Sequence, residues 1–360
     1  MKKMFLFAAM TSIALASCTT DEEIFAPINQ GNEIELVAAN YAAQTRAEHD
    51  TLTFTNNSYN VWAWENGSDV PHINGAYVSY TNNQSVLGNT YYWPNYALDF
   101  AATTPANDPR ITLVRDNGTS TITFTINAEK GNDHQTNLMY ADFVESQYYD
   151  SDVDFSNTGG ETITGTTNSK TVALLFRHVL TRLNVVVNQV NPNPLPADIT
   201  GYNVTVNSLS FNDFLNEGSL TVKEGEYDAL THNVWNTPGT ATDSWNIISA
   251  ATSIEASSFK TNYNHGAKNY FVMPQTIPAN AKLNINYTVI TRFSNGTTST
   301  ETYTKSVALN TITSGNTAID KWFTNKNVTY TINIKPANLT EIAFTVNEEE
   351  MGTIGGSHTF

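Results

Sequence analysis

Short segments in which apolar and polar residues alternate recur along this chain, and they constrain its fold more than any other feature. Alternation places every second side chain on one face, as in a β-strand with one buried face. Asparagine, glycine, proline and serine separate the segments, which is typical of turns between strands. No long amphipathic helix is recognisable between them. The sequence therefore predicts an all-β protein made of antiparallel β-sandwiches, with strands in segments such as 32–40, 51–64, 120–126, 171–187, 281–293 and 327–334.

Composition narrows the classes of protein to which the chain can belong. The 360 residues include 18 lysines and arginines against 34 aspartates and glutamates, which gives a net charge of −16. Such an acidic surface would repel phosphate backbones, so the sequence disfavours nucleic-acid binding. Cys18 is the only cysteine, which excludes an intrachain disulfide and a cysteine-based zinc cluster.

The first 18 residues predict export and a lipid anchor. Lys2 and Lys3 precede an apolar run too short to span a bilayer, so residues 1–17 are typical of a secretory signal peptide. The sequence LASC (15–18) resembles the bacterial lipobox, in which the cysteine, here Cys18, is acylated and becomes the mature N-terminus. Its acyl chains would hold the precursor on a membrane by burying CH₂ groups. The alternative is an ordinary signal peptide whose cleavage site happens to contain a cysteine.

A proline-rich stretch indicates a division of the chain. Residues 188–201 (NQVNPNPLPADITG) contain three prolines within positions 192–196, which is typical of a stiff connector. The sequence therefore predicts a domain boundary near residue 190. A boundary near residue 165, in a loop rich in glycine and threonine, is the alternative.

Several fragments together resemble the Bacteroidales fimbrillin family, the Mfa-like and FimA-like subunits of type V pili. None is a catalytic motif, and they follow the family order along nearly the whole chain. The resemblance implies a structural protein, not an enzyme, with two transthyretin-like β-sandwich domains in tandem at 47–190 and 191–360. The fragments are the lipobox leader, TRA (45–47), YYWPNYALDFAATTP (91–105), QTNLMYADF (135–143), LLFRHVLTRLNVVV (174–187), YFVMPQTIP (270–278) and Trp322 before YTINI (330–334).

The resemblance also implies a maturation pathway. The precursor would reach the outer membrane through an acylated Cys18, and an arginine-specific protease would cut between Arg46 and Ala47. This cut would remove the propeptide 18–46, including the strand 32–40, and release an extracellular fimbrial subunit. Arg46 is the only basic residue between Lys3 and Arg110, so such a cut would be unambiguous. The alternative is a loop arginine that happens to be exposed.

Self-polymerisation is the next step that the resemblance implies. The lost strand would leave an apolar groove and unpaired backbone groups, which another subunit could fill with a strand. The candidate donor is TEIAFTV (340–346), in which Ile342, Phe344 and Val346 share one face. The contact is head-to-tail, so it would form a filament with copies of this chain and other pilus subunits. Three glutamates follow at 348–350; they would be costly in an apolar groove, so the inserted part should stop near Val346 or resume at 351–354.

An acidic loop is a second candidate site. Residues 150–161 (DSDVDFSNTGGE) place oxygen-bearing side chains at the spacing of an EF-hand loop, which can bind Ca²⁺. Phe155 stands where that loop has glycine, and no helices flank it. The alternative is a solvated acidic loop with no cofactor; the residues that would bind the ion are Asp150, Asp152, Asp154 and Glu161.

None of the remaining sequence features indicates an enzyme. The seven histidines never pair at metal-ligand spacing, and no hydrolase or phosphate-binding motif occurs. A cluster of aromatic residues supports one rival function, that of a permanently anchored surface lipoprotein that binds glycan by stacking. The alternative for these aromatic side chains is that they fill a sandwich core and a seam between domains; they are Trp62, Trp64, Tyr91, Tyr92, Trp93 and Tyr96.

Overall fold

The protein is described by a computed structural model that covers residues 32–40, 58–81, 84–125, 136–149, 167–168, 170–223, 235–237, 242–254, 259–260, 270–337 and 342–350. Within these ranges the regular structure is almost entirely strand, with one 3₁₀ turn at Leu309–Thr311. The prediction of an all-β fold is confirmed. None of the helical structure in these ranges is long and apolar enough to span a membrane.

The strands follow one another closely along the chain. In the first half they are β1 (Glu35–Asn40), β2 (Tyr59–Glu65), β3 (Pro71–Thr81), β4 (Gln84–Leu87), β5 (Leu98–Thr104), β6 (Ile111–Asp116), β7 (Thr119–Thr125), β8 (Met139–Tyr148), β9 (Thr167–Asn168), β10 (Thr171–His178) and β11 (Thr181–Gln189). In the second half they are β12 (Ile199–Leu215), β13 (Glu217–Lys223), β14 (Thr242–Ile248), β15 (Thr252–Ser253), β16 (Phe259–Lys260), β17 (Tyr270–Val272), β18 (Gln275–Thr276), β19 (Lys282–Phe293), β20 (Thr298–Ala308), β21 (Thr313–Ser314), β22 (Thr317–Ala318), β23 (Lys321–Trp322), β24 (Lys326–Ile334) and β25 (Ile342–Glu350).

Eight of the eleven strands in the first half form one large sheet. Its strand order is β1-β10-β8-β5-β2-β3-β4, and β9 pairs with β8. Alternate residues of these strands point into one apolar core; they include Tyr59, Val61, Phe100, Val172 and Phe176, all fully buried. This burial is the physical reason for the alternation in the sequence, because each strand has one face against the core.

Strand β11 and most strands of the second half form a β-sandwich. One sheet has the order β16-β11-β24-β25 and the other the order β14-β12-β19-β20, with β17 and β15 attached to β11 and β12. Both sheets contribute alternate side chains to a single core, for example Val185 and Tyr330 from the first and Phe211 and Leu283 from the second. The predicted sandwich architecture is therefore confirmed in this half of the chain.

The apolar segment 171–187 crosses from the first half to the second. Its apolar residues switch from even-numbered to odd-numbered positions. That switch by itself predicts a β-bulge near 180–183. The structure shows instead that β10 ends at His178 and β11 begins at Thr181 in a different sheet. The prediction of a bulge is therefore wrong. The apolar positions switch because Phe176 faces the first core and Leu183 faces the second.

A third apolar cluster lies at the seam between the halves. It joins Trp64 and Tyr140 from the large sheet with Val179 at the crossover and Trp235 from the second half. The indole N–H of Trp235 donates a hydrogen bond to the carbonyl oxygen of Val179 at 2.6 Å. Strand β13 pairs along its length with β7 in a small sheet of order β13-β7-β6. The two halves are thus joined by shared strands, and the domain limits 47–190 and 191–360 stay a prediction.

Candidate functional site

Strand β1 lies at one edge of the large sheet, counting the described strands. It runs parallel to β10, with Leu36 opposite Val172 and Ala38 opposite Leu174. Ile34, Leu36 and Ala38 are 5, 7 and 7% exposed and belong to the core of that sheet, whereas Val37 is 51% exposed. The segment before Arg46 therefore contributes one complete apolar face to the core.

Backbone hydrogen bonds continue this attachment on the N-terminal side of β1. The amide of Ile34 donates to the carbonyl oxygen of Tyr91 at 2.9 Å, and the amide of Trp93 donates to that of Asn32 at 2.9 Å. The hydroxyl of Tyr80 donates to the carbonyl oxygen of Ala38 at 3.4 Å. Removing β1 would leave the partner groups without these bonds, and unpaired backbone groups favour binding another strand.

An ion pair holds β1 on its exposed face. Lys170 Nζ lies 2.6 Å from Glu35 Oε1, and the hydroxyl of Thr171 donates to Glu35 Oε2 at 3.3 Å. The hydrogen bond from Lys170 holds the pKa of the Glu35 carboxyl below its ordinary value. Sequence reasoning did not identify Lys170, because it lies 135 residues from Glu35 and no local pattern connects them.

This ion pair predicts a pH dependence of the β1 attachment. Because the pKa of Glu35 is lowered in the folded state, its contribution is complete above the ordinary carboxyl pKa and disappears as the pH falls through the lowered value. In the uncleaved protein, Glu35→Gln should speed amide hydrogen exchange in β1 modestly at neutral pH. Well below the lowered pKa, the two proteins should exchange alike. An equal difference at both pH values would contradict the prediction, and Glu65→Gln, an exposed carboxyl in β2, is the control.

Strand β25 contains the candidate donor residues. It lies at one edge of the sheet β16-β11-β24-β25. It pairs only with β24 among the described strands, antiparallel, with Val346 opposite Tyr330. Val346 is 4% exposed in the core of the second half, and Ile342 and Phe344 are half-buried against the same core. Beneath them the buried hydroxyl of Tyr330 accepts a hydrogen bond from the indole N–H of Trp322 at 2.8 Å.

The acidic end of β25 remains part of the strand. The pairing with β24 continues from Val346 to Glu350, so the glutamates extend the ladder. Glu348 Oε1 lies 3.6 Å from Lys326 Nζ at a partly exposed position. Where an inserted donor strand would stop remains a prediction.

The aromatic cluster is mostly structural. Trp64 and Trp93 are buried, and Trp62 and Tyr91 pack partly against the cores. Two of its six members remain exposed, namely Tyr92 at 41% and Tyr96 at 37%. The hydroxyl of Tyr96 lies 3.4 Å from His72 Nδ1, and His72 Nε2 lies 3.0 Å from the carbonyl oxygen of Tyr92. The continuous stacking surface that glycan binding would need is therefore reduced to two tyrosines.

The other predicted site residues lie outside the described residues. This holds for Cys18, for Arg46 and Ala47, and for the loop 150–161 with Asp150, Asp152, Asp154 and Glu161. In the part of the chain that the structure covers, no group of three or more histidine, cysteine, aspartate or glutamate side chains could hold a metal ion. Lipidation, cleavage and Ca²⁺ binding at these residues all stay predictions.

Comparisons with known proteins agree with this architecture. The sequence matches the family model described as fimbrillin-like over residues 45–348. A fimbrial protein from Bacteroides vulgatus is similar in structure, with 18% identity, a TM-score of 0.56 and coverage of 89% of this chain and 99% of that chain. A candidate cell adhesion protein from Bacteroides uniformis aligns with 16% identity, a TM-score of 0.47 and coverage of 89% and 98%. A search of the curated proteins found no match.

Proposed function

This chain belongs to the fimbrillin-like family, and on that premise we propose that it is a fimbrial subunit that polymerises by strand exchange and functions in adhesion. Its precursor is exported through the signal peptide 1–17 and held on the outer membrane by lipid on Cys18. An arginine-specific protease cuts after Arg46, and the subunit then enters an extracellular fimbrium. Family membership places the chain among structural proteins and not among enzymes.

The observation that supports this proposal most directly is the position of β1. It supplies an apolar face to the core, yet it lies on the N-terminal side of Arg46 and pairs with one described neighbour, β10. Cleavage after Arg46 separates it from the rest of the chain, so it remains bound only by non-covalent contacts. Its departure opens a groove beside β10 that is lined by Val172, Leu174 and Phe176.

Strand β25 supplies the complementary element in this proposal. As an edge strand it can leave β24 without breaking a second ladder, and Val346 is the only one of its three donor side chains that is almost fully buried. Insertion into the groove of a neighbour would bury all three side chains. Because the donor β25 and the groove beside β10 belong to different sheets, the contact is head-to-tail, so each subunit binds the next and a filament grows.

The test is to determine the N-terminus of the protein recovered from the cell surface. The proposal predicts that assembled material begins at Ala47, and that a precursor beginning at acylated Cys18 occurs only in the membrane fraction. Mass spectrometry of both fractions measures this directly. If all surface material began at lipidated Cys18, the rival of a permanently anchored lipoprotein would replace the fimbrial subunit.

A further inference from the structure

Strand β20 (Thr298–Ala308) is a long strand at one edge of the sheet β14-β12-β19-β20. Among the described strands it pairs only with β19, and that pairing continues over its whole length without a register shift. Its other edge therefore presents a row of backbone N–H and C=O groups with which a further strand could pair. Neither β1 nor β25 belongs to this sheet, so the strand exchange proposed above leaves this edge available.

The ladder with β19 determines which backbone groups of β20 point outward. At one end the amide of Phe293 donates to the carbonyl oxygen of Thr297 at 2.9 Å. At the other end the amide of Leu309 donates to the carbonyl oxygen of Ala281 at 2.9 Å. Both pairs join odd-numbered residues, and they flank a continuous register. Because hydrogen-bonded and non-hydrogen-bonded pairs alternate in an antiparallel ladder, the even-numbered residues of β20 direct their backbone groups outward.

Two opposite charges lie symmetrically about the middle of β20. Tyr303 is the central residue of the strand, and Glu301 and Lys305 lie two positions before and after it on the same face. Tyr303 packs on Tyr287, with ring centroids 5.4 Å apart, and its hydroxyl donates a hydrogen bond to the Glu301 carboxylate. Glu301 and Lys305 are about 13 Å apart along the strand. Each is therefore better placed to pair across strands than with the other.

We propose that β20 pairs antiparallel with β20 of a second copy of this chain, about a two-fold axis through Tyr303. In this register Glu301 of each copy lies opposite Lys305 of the other, so two ion pairs support the contact. The even-numbered residues, whose backbone groups point outward, form the hydrogen-bonded pairs, such as Thr302 with Thr304 of the second copy. All 11 residues of the strand are paired.

Other antiparallel registers of the same two edges are unfavourable. An axis through Glu301 places two glutamates opposite each other, and an axis through Lys305 places two lysines opposite each other. An axis through Thr302 or Thr304 leaves both charges without an opposite charge across the strands. Like charges directly opposite each other destabilise a strand pair. Charges on an edge strand commonly prevent association, whereas these two charges of opposite sign favour one register over its neighbours.

The contact is small, and its size determines its strength. One pair of 11-residue strands buries less area than a standard interface of about 1,600 Å², so we expect a dissociation constant of roughly 10–100 µM. The subunit is therefore monomeric in dilute solution. A two-fold contact closes after two copies, so it does not lengthen a filament. Within the proposed fimbrial function, it instead joins subunits of two neighbouring fimbriae.

Complementary charge variants test this pairing by sedimentation equilibrium. The full chain carries Cys18→Ser throughout and is kept from the protease, so that lipid, a native thiol and cleavage do not contribute. Glu301→Lys alone and Lys305→Glu alone place like charges opposite each other, and each should weaken the dimer roughly tenfold. An equimolar mixture of the two variants should restore association, because both cross-strand pairs are then opposite in sign. The double variant Glu301→Lys/Lys305→Glu should self-associate like the starting protein.

A charge control and a crosslink distinguish this register from a general effect of charge. Glu65→Lys makes the same change of charge at an exposed position of β2, and it should leave the dimer unaltered. Tyr303→Cys should form an intermolecular disulfide with its own copy, because the axis places the two residues opposite each other within disulfide reach. Ser299→Cys should not, since the same axis separates its two copies by about 27 Å.

Three results would overturn the proposal. They are starting protein that stays monomeric up to about 1 mM, a mixture of the two single variants that associates no better than either alone, and a disulfide through Ser299→Cys in place of Tyr303→Cys. None of them depends on cleavage after Arg46, because the uncleaved chain contains all of β20. The proposed function is therefore tested separately.

Discussion

Replacing Arg46 by alanine is expected to abolish filaments and leave a monomeric, lipidated precursor. Without the cut, β1 stays covalently attached, and its local concentration at the groove exceeds that of any donor strand from another subunit. The groove then remains closed, with Ile34, Leu36 and Ala38 in the core. Electron microscopy of the cell surface and sedimentation of the released protein measure the effect, which should be a loss of essentially all polymer.

A matched arginine distinguishes this effect from a general effect of losing a positive charge. Arg292 is exposed near the end of β19, and Arg292→Ala should be cleaved and should polymerise like the wild type. Because Arg46 is the only basic residue between Lys3 and Arg110, an arginine-specific protease has no nearby substitute site. Normal filaments from Arg46→Ala would contradict both the cleavage and the strand exchange that depends on it.

The sequence could predict those features whose signal is local. Alternation in 32–40 correctly indicated a strand with one apolar face, and the structure places β1 at Glu35–Asn40. The same pattern in 340–346 indicated the shared face of Ile342, Phe344 and Val346. Each of these inferences needs only the two-residue period of a strand, and their roles in assembly remain proposals.

Features that depend on pairing between distant residues could not be predicted. Nothing in Glu217–Lys223 indicates that β13 pairs with β7, almost a hundred residues earlier. In the segment 171–187, the switch of apolar residues from even- to odd-numbered positions correctly indicated a break in the strand. The same switch does not distinguish a bulge within one strand from a passage into a second sheet. Only the placement of Phe176 and Leu183 in separate cores resolves the two.

A buried ion pair in the first half was likewise invisible in the sequence, and removing its carboxylate is expected to destabilise the fold strongly. Asp99 in β5 and Arg115 in β6 have side chains 0 and 1% exposed, with Asp99 Oδ2 3.0 Å from Arg115 Nη2. Asp99 also accepts hydrogen bonds from Asn66 Nδ2 at 2.9 Å and the Ser146 amide at 2.8 Å. Asp99→Ala leaves the guanidinium buried without this partner, and we expect a loss of about 3–5 kcal/mol in the free energy of unfolding, measured by urea denaturation.

The control for this loss is the other carboxylate near Arg115. Asp69 is 46% exposed and lies 3.6 Å from Arg115 Nε, so Asp69→Ala should cost at most about 1 kcal/mol. An Asp99→Ala protein within about 1 kcal/mol of the wild type would contradict the prediction. Replacing both partners, as in Asp99→Leu/Arg115→Met, should restore much of the loss, because no unpaired charge then remains buried. Because the Arg115 guanidinium also lies 4.9 Å from the ring centre of Trp64 at the seam, we expect the pair to contribute to fixing where β6 packs.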